Sequence, residues 1–415
     1  MENKLLKNVL KGDKVIWSLF FGLLAFSMLA VYSSIGRSAI INSGSTPERA
    51  MLKHCVFIAI SIFCAVVVSN TPYQLFRKLS LVVMLIGCAG LLYIIATHGE
   101  RWIRIFGFSF QPSEFAKPAL MVFLASMIDK HKDKLDSLQL FLQLLLIIFI
   151  VSGLNFKDDF STTALYLMCS MMVLFYGKVN FKYWIRTILI VVVVAVALII
   201  YSMNDYKHSV ERSQLYTEAG VAVAQEESFG RIATIGHRMK DWLNPDTNDL
   251  NYQGNIAKMA VASGGLKING PGSTIQARLM TQAESDMIYA IILEEYGIWG
   301  GLLVFILYTI IFLRCMKLSR RCNDTFAYLC CSGLCTLIYI QALVNMGVSL
   351  GFFPITGQTL PLISTGGSSM IMVGVTFGVI QSVSFNTHKA IKKENIKALK
   401  DAGFEELKEM ANATK

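Results

Sequence analysis

The chain has 415 residues, of which 54% are hydrophobic and 16% charged, with a mean hydropathy of +0.52. An ordinary soluble domain is about 25% charged, and here long charge-free runs alternate with short charged loops. That excludes a soluble globular enzyme, a disordered chain and a disulfide scaffold, and it leaves a polytopic membrane protein. The formal net charge of +10 then reads first as topology, because Lys and Arg mark the cytoplasmic side of a membrane protein.

Crossing a bilayer takes roughly 20 mainly apolar residues. The pattern predicts ten spans, at 15–33, 54–70, 79–97, 116–128, 138–154, 161–177, 184–202, 286–313, 326–349 and 367–385. Pro112 and Pro118 predict a broken or re-entrant start to the fourth, tolerable only where it faces protein or water. Placing the N-terminus inside puts 23 of the 38 basic residues in cytoplasmic segments. Eight of the others lie in the long loop 203–285, and long loops translocate largely regardless of charge. Both termini are therefore expected in the cytoplasm, and no cleaved signal peptide is expected. The expected fold is an all-α bundle of about ten transmembrane helices. Its transmembrane domain covers 1–385 with the outer loop 203–285, and a basic tail at 386–415 faces anionic lipid. The basic bias needs no nucleic acid to explain it.

Nine cysteines lie in predicted spans or on the inner side, with no CxxC pair, and none of the six histidines is deep in a span. Unpaired structural thiols are expected, and a His-based metal or proton-relay site is not. In the outer loop Phe229, Ile232, Ile235, Met239 and Trp242 recur at three- and four-residue spacing among basic residues. This predicts an amphipathic helix, lying on the membrane surface or packed as a lid on the spans. The stretch SGGLKINGPGS at 263–273 is either a phosphate cradle built from backbone amides or a plain turn.

Ionisable residues at membrane depth are functional candidates by default. Arg101, Arg104, Glu114 and Lys117 precede or open the fourth span, and Lys157, Asp158 and Asp159 fill the loop before the sixth. Asp286 opens the eighth, with Glu294 and Glu295 about two turns deeper. Cations and carboxylates gathered on one face suit a phosphorylated, sugar-bearing lipid: Arg and Lys neutralise phosphate, and a carboxylate accepts a proton. Interfacial salt bridges closing the bundle are the plainer explanation of the same residues.

Five strings carry a resemblance. RWIRIFGFSFQPSEFAKPAL at 101–120, KDDFSTTAL at 157–165, WLNPDTNDLNYQ at 242–253, SDMIYAIILEEYG at 285–297 and NMGVSLGFFPITGQTLPLISTGGSS at 345–369 resemble, in order and spacing, the signatures of the SEDS family (shape, elongation, division and sporulation; FtsW, RodA, SpoVE). NDTFA at 323–327 and QALVNMG at 341–347 resemble the division branch, FtsW, more than the elongation branch, RodA. The resemblance implies a peptidoglycan glycosyltransferase of the bacterial inner membrane, at the division septum, that polymerises lipid II. Implied partners are lipid II, a class B penicillin-binding protein (a transpeptidase) and other divisome proteins. By motif, Asp286 takes the catalytic carboxylate's place, and Arg101, Glu114, Lys117 and Asp159 are substrate-binding. No organic cofactor is expected. Mg²⁺ or Mn²⁺ held at Asp286 and Glu284 is an expectation of the same kind. The chain departs from the family pattern at Thr365, where Tyr is usual, at Ser161 and Lys267, where Gly is common, and at Glu284, where His is usual. A lipid-precursor flippase or transporter and a non-enzymatic divisome scaffold are the rival classes.

Overall fold

The computed structural model describes residues 10–42, 46–97, 102–105, 108–156, 159–218, 231–243, 253–280 and 283–413. The chain order is α1 (Lys14–Asn42), α2 (Pro47–Asn70), α3 (Tyr73–Thr97), the strands β1 (Ile103–Ile105) and β2 (Phe108–Phe110), α4 (Pro112–Lys130), α5 (Leu138–Phe156), α6 (Phe160–Tyr176) and α7 (Phe181–Glu218). Then come α8 (Arg231–Leu243), α9 (Gln253–Gly264), α10 (Ile288–Ser319), α11 (Thr325–Ser349) and α12 (Gly367–Ala413). The protein is a polytopic, multi-pass all-α membrane protein. Ten helices coincide with the predicted spans. Among the described residues eight are individually long and apolar enough to cross a membrane, while α4 and α6 fall short. Helix α6 falls short on length, with 17 residues, and α4 on composition, because it carries Glu114, Lys117, Asp129 and Lys130.

Burial grades the helices. In α12, 83% of the most apolar stretch is enclosed by protein, and in α11 72%, against 11% in α7. Helices α11 and α12 are therefore the bundle's axis, and α7 stands at its periphery with a lipid-facing surface. Helix α12 lies along α2, where a Cβ on Gly374 would fall 2.6 Å from the carbonyl oxygen of Ser61. Without a hydrophobic driving force in lipid, small residues that let backbones approach supply the packing. Ser61 Oγ donates to Met370 O at 2.9 Å across the same contact.

Two expectations are corrected. The fourth span is not broken: Pro112 stands at the first turn, where no amide partner is needed, and α4 runs on through Pro118 to Lys130. A short antiparallel hairpin, Ile103 opposite Phe110, precedes it. The eighth span starts later, so Asp286 lies in a turn two residues before α10 rather than in the helix. Helix α12 continues without interruption from the bundle into the basic segment beyond 385.

The two alternatives for the amphipathic helix are separated. Helix α8 packs on the extension of α7 beyond 202 and on the 351–355 loop. The ring of His237 stacks on Tyr206 at 5.2 Å, Lys240 Nζ sits 5.3 Å from the same phenol ring, and Trp242 Nε1 donates to Gly351 O at 3.0 Å. It is a lid. At the opposite end of the bundle, Arg77 pairs with Asp129, and Arg314 with Asp13 at 2.8 Å.

Candidate active site

Helix α4 carries its charges inward. Glu114 is in the first turn, where the helix dipole favours an anion. Lys117, three residues on, reaches Glu114 Oε1 at 2.8 Å, and the two residues are 1% (Lys117) and 8% (Glu114) exposed. A pair taken this far from water needs further hydrogen bonds to offset its desolvation. Lys117 Nζ finds Gln341 Oε1 on α11 at 3.3 Å, and Gln341 Nε2 donates to Thr359 O at 3.1 Å.

Asp159 caps α6. Its Oδ1 accepts from Thr162 N at 3.0 Å and its Oδ2 from Thr162 Oγ1 at 2.8 Å, the usual way to satisfy a first-turn amide. Thr162 Oγ1 in turn accepts from Gln358 Nε2 at 2.7 Å. The loop before α12 is thereby tied to both α6 and α11.

The turn carrying Asp286 is held by its backbone. Glu284 O accepts from Thr365 N at 2.9 Å and from Thr365 Oγ1 at 3.0 Å. Ser285 O accepts from Ser364 Oγ at 2.6 Å. Asn345 Nδ2 donates to Asp286 O at 2.8 Å and to Gln358 O at 2.7 Å, so one amide joins the turn to the loop. Gly357 has φ +68°, and a Cβ there would lie 3.4 Å from Asp286 Oδ2. A larger residue would be strained and would crowd the carboxylate. On either side of Gly357, Thr356 Oγ1 and Gln358 Oε1 are buried without a hydrogen-bond partner, as is Asn345 Oδ1. Three buried oxygens flanking the Asp286 turn are thus left without a partner, an uncommon state for buried polar atoms.

Two spaces adjoin this network. An apolar groove of about 320 Å³ runs between α6, the lid α8 and the 353–356 loop, lined by Phe160, Leu165, Met168, Ile235, Met239 and Phe353, with Arg238 and Gln358 also on its wall. A second, more polar cavity of about 390 Å³ lies between α1, α2, the hairpin and the start of α12, with Glu284 in its wall.

The four described candidates Glu114, Lys117, Asp159 and Asp286 thus meet in one network assembled on α4, α6, α11 and the loop 356–366. Arg101 lies outside the described residues, as do Lys157, Asp158 and the side chain of Arg104. Gln341, Asn345, Thr162 and Gln358 join the network, and the sequence reading did not single them out. Gln341 and Asn345 carried a signal, being two amides one turn apart inside an apolar span. Among the described residues no group of three His, Cys, Asp or Glu side chains could hold a metal. Glu284 lines the polar cavity and Asp286 does not. A metal cage made by the protein itself does not fit here.

The model of the FtsW/RodA/SpoVE family, described as a cell cycle protein, matches residues 13–389. The chain belongs to that family. A relative from Trichlorobacter lovleyi is 26% identical over 385 residues, covering 90% of this chain and 93% of its own. One from Bacillus subtilis is 27% identical over 413 residues, covering 96% and 97%. Both carry the name probable peptidoglycan glycosyltransferase FtsW. Among solved structures, a peptidoglycan synthase complex that coordinates polymerization and crosslinking has a chain matching with TM-score 0.66 at 20% identity, over 91% of this chain and 98% of that one. The rod shape determining protein RodA of Thermus thermophilus matches with TM-score 0.61 at 18% identity, over 91% and 98%.

In this SEDS protein the glutamate pair of α10 holds the glycine-rich loop, with Glu295 Oε2 left buried without a partner. Glu294 Oε1 accepts from Ile275 N at 2.8 Å and Gln276 N at 3.2 Å, and its Oε2 from Thr274 Oγ1 at 2.5 Å. Glu295 accepts from Ser33 Oγ and from Gly272 N, the latter at 3.0 Å. The amides of Asn269 and Gly270 both donate to Glu295 O. The amides of Asn269, Gly270 and Gly272 in the glycine-rich stretch are therefore not free for a phosphate, since each already has an acceptor inside the protein.

Proposed function

We propose that the chain is a peptidoglycan glycosyltransferase that polymerises lipid II, with Asp286 as general base. The observation that carries this is the placing of Asp286 among orphaned acceptor oxygens beside an apolar groove. A reactive carboxylate, a shelf for hydroxyls and a slot for hydrocarbon together suit a sugar carried on a polyprenyl chain.

In this mechanism Asp286 takes the proton of the acceptor sugar's 4-hydroxyl. The freed oxygen attacks the anomeric carbon of the growing strand, inverting it, and undecaprenyl pyrophosphate departs. Thr356 and Gln358 accept from neighbouring hydroxyls and orient the acceptor. The groove under α8 takes the prenyl chain, and Arg238 brings a cation to its wall. Arg101 and Lys117 offset the charge that develops on the leaving group. Buried against Glu114 and Gln341, Lys117 does so at a distance, through its potential and by holding the loop. Asp159 positions that loop through Thr162 and Gln358. No step is routed through a metal.

By its basic loops the site faces outward from the bacterial cytoplasmic membrane, and the FtsW-like strings favour the division septum. The peptidoglycan synthase complex above supports pairing with a crosslinking partner, a class B penicillin-binding protein of the divisome. The test is lipid II polymerisation by the purified chain with that transpeptidase. Asp286→Asn should lower the rate at least about 100-fold while folding normally. A folded Asp286→Asn protein with wild-type rate removes the base assignment. Lipid II crossing proteoliposomes without polymer would point to a flippase instead.

A further inference from the structure

The turn that bears Asp286 also bears Glu284, and the two carboxylates serve different spaces. Glu284 looks into the polar cavity of about 390 Å³, whose wall also holds Lys53, His54, Trp102, Ser109 and Thr365. That volume lies within the range of small-molecule sites, roughly 300–1,000 Å³. Glu284 Oε2 is buried and accepts no hydrogen bond. A carboxylate oxygen closed off from water without a donor is costly, and nearly all such atoms in folded proteins are satisfied. The backbone of Glu284 is fixed by both donors of Thr365, so the turn does not readily swing the side chain away.

The rest of the wall says what kind of donor is missing. His54 is already engaged, its Nε2 3.0 Å from Ser27 Oγ. Lys53 is exposed and, among the described residues of the wall, is the cation set against the carboxylate of Glu284. Trp102 offers an aromatic face and Ser109 a hydroxyl. One carboxylate, one ammonium and an aromatic ring match a zwitterionic peptide segment better than a polyanion, which would call for an excess of cations.

We propose that this cavity is a peptide subsite and that Glu284 is a specificity residue receiving a primary ammonium group from the peptide of the lipid-linked substrate. Lys53 faces a carboxylate of the same peptide. The assignment rests on the glycosyltransferase reading for the identity of the substrate, while amine recognition by the cavity is testable without turnover.

Two readouts on the full chain test it. The first is polymerisation kinetics with lipid II bearing a free side-chain amine on its peptide, and with the same lipid II acetylated at that amine. Wild type should show a KM about tenfold higher for the acetylated substrate, the size expected of one charge-assisted hydrogen bond. Glu284→Gln should show no preference. The second is calorimetric binding of the soluble peptide, amine free or acetylated, with Mg²⁺ alone as a control. Wild type should prefer the free amine and Glu284→Gln should not. Binding indifferent to acetylation in the wild type overturns the proposal, whatever the activity. So does Mg²⁺ binding that Glu284→Gln abolishes and the peptide does not displace. Amine-selective binding without any polymer formation keeps the Glu284 assignment and removes the glycosyltransferase reading.

Discussion

Lys117 and Glu114 illustrate how much a single side chain can mean at membrane depth. Each is tolerable in the interior only because the other is there. Lys117→Met should leave an uncompensated buried carboxylate and cost about 3–5 kcal/mol. Thermal unfolding in detergent measures it, and adding Glu114→Gln should recover most of the loss. A single variant as stable as the wild type would show that the pair adds nothing. Asn345 works differently, since one amide holds both Asp286 O and Gln358 O. Asn345→Ala leaves two carbonyls without that donor, about 1–3 kcal/mol for each that stays unsatisfied. Polymerisation should fall with kcat lowered more than KM is raised, because the base and the hydroxyl shelf lose their common anchor. Charge and depth made Glu114, Lys117, Asp159 and Asp286 legible in the sequence. Asn345 stood out only as an amide one turn from Gln341 in an apolar span, and its role follows from its two carbonyl partners.

The helices were legible because hydrophobic runs are local, and the differences arose where an element's fate depends on a neighbour. Helix α8 has the amphipathic pattern of a surface helix, yet its aromatic and basic side chains meet α7 and the 351–355 loop. Trp242→Ala should loosen that lid. Hydrogen exchange over 231–243 should then quicken while α11 and α12 stay unchanged. Glu294 and Glu295 looked like a deep ionisable pair and serve as clamps for the glycine-rich loop. Glu294→Ala removes the acceptor of Ile275 N, Gln276 N and Thr274 Oγ1. Residues 265–276 should become open to limited proteolysis, with polymerisation reduced rather than abolished. Resistance equal to the wild type would contradict the clamp.

Across the whole molecule, burial falls from α12 and α11 outward to α7, and the polar network sits where the buried helices end. Hydrogen exchange in detergent should rank the same way, slowest in α12 and α11, fastest in α7 and α8. An α7 as protected as α12 would place it inside the bundle. Sequence alone was enough for the membrane class, the ten helices and the family strings, because hydropathy and short motifs are properties of contiguous residues. The tertiary structure decided which charges share one hydrogen-bonded network and which clamp a loop. Lys117 meets Gln341 across 224 positions and Thr162 meets Gln358 across 196. No local pattern encodes such partners, since a buried polar atom finds its meaning only in the group that satisfies it. The same reason separates Asp286, framed by its loop, from Glu284, which lines a different cavity.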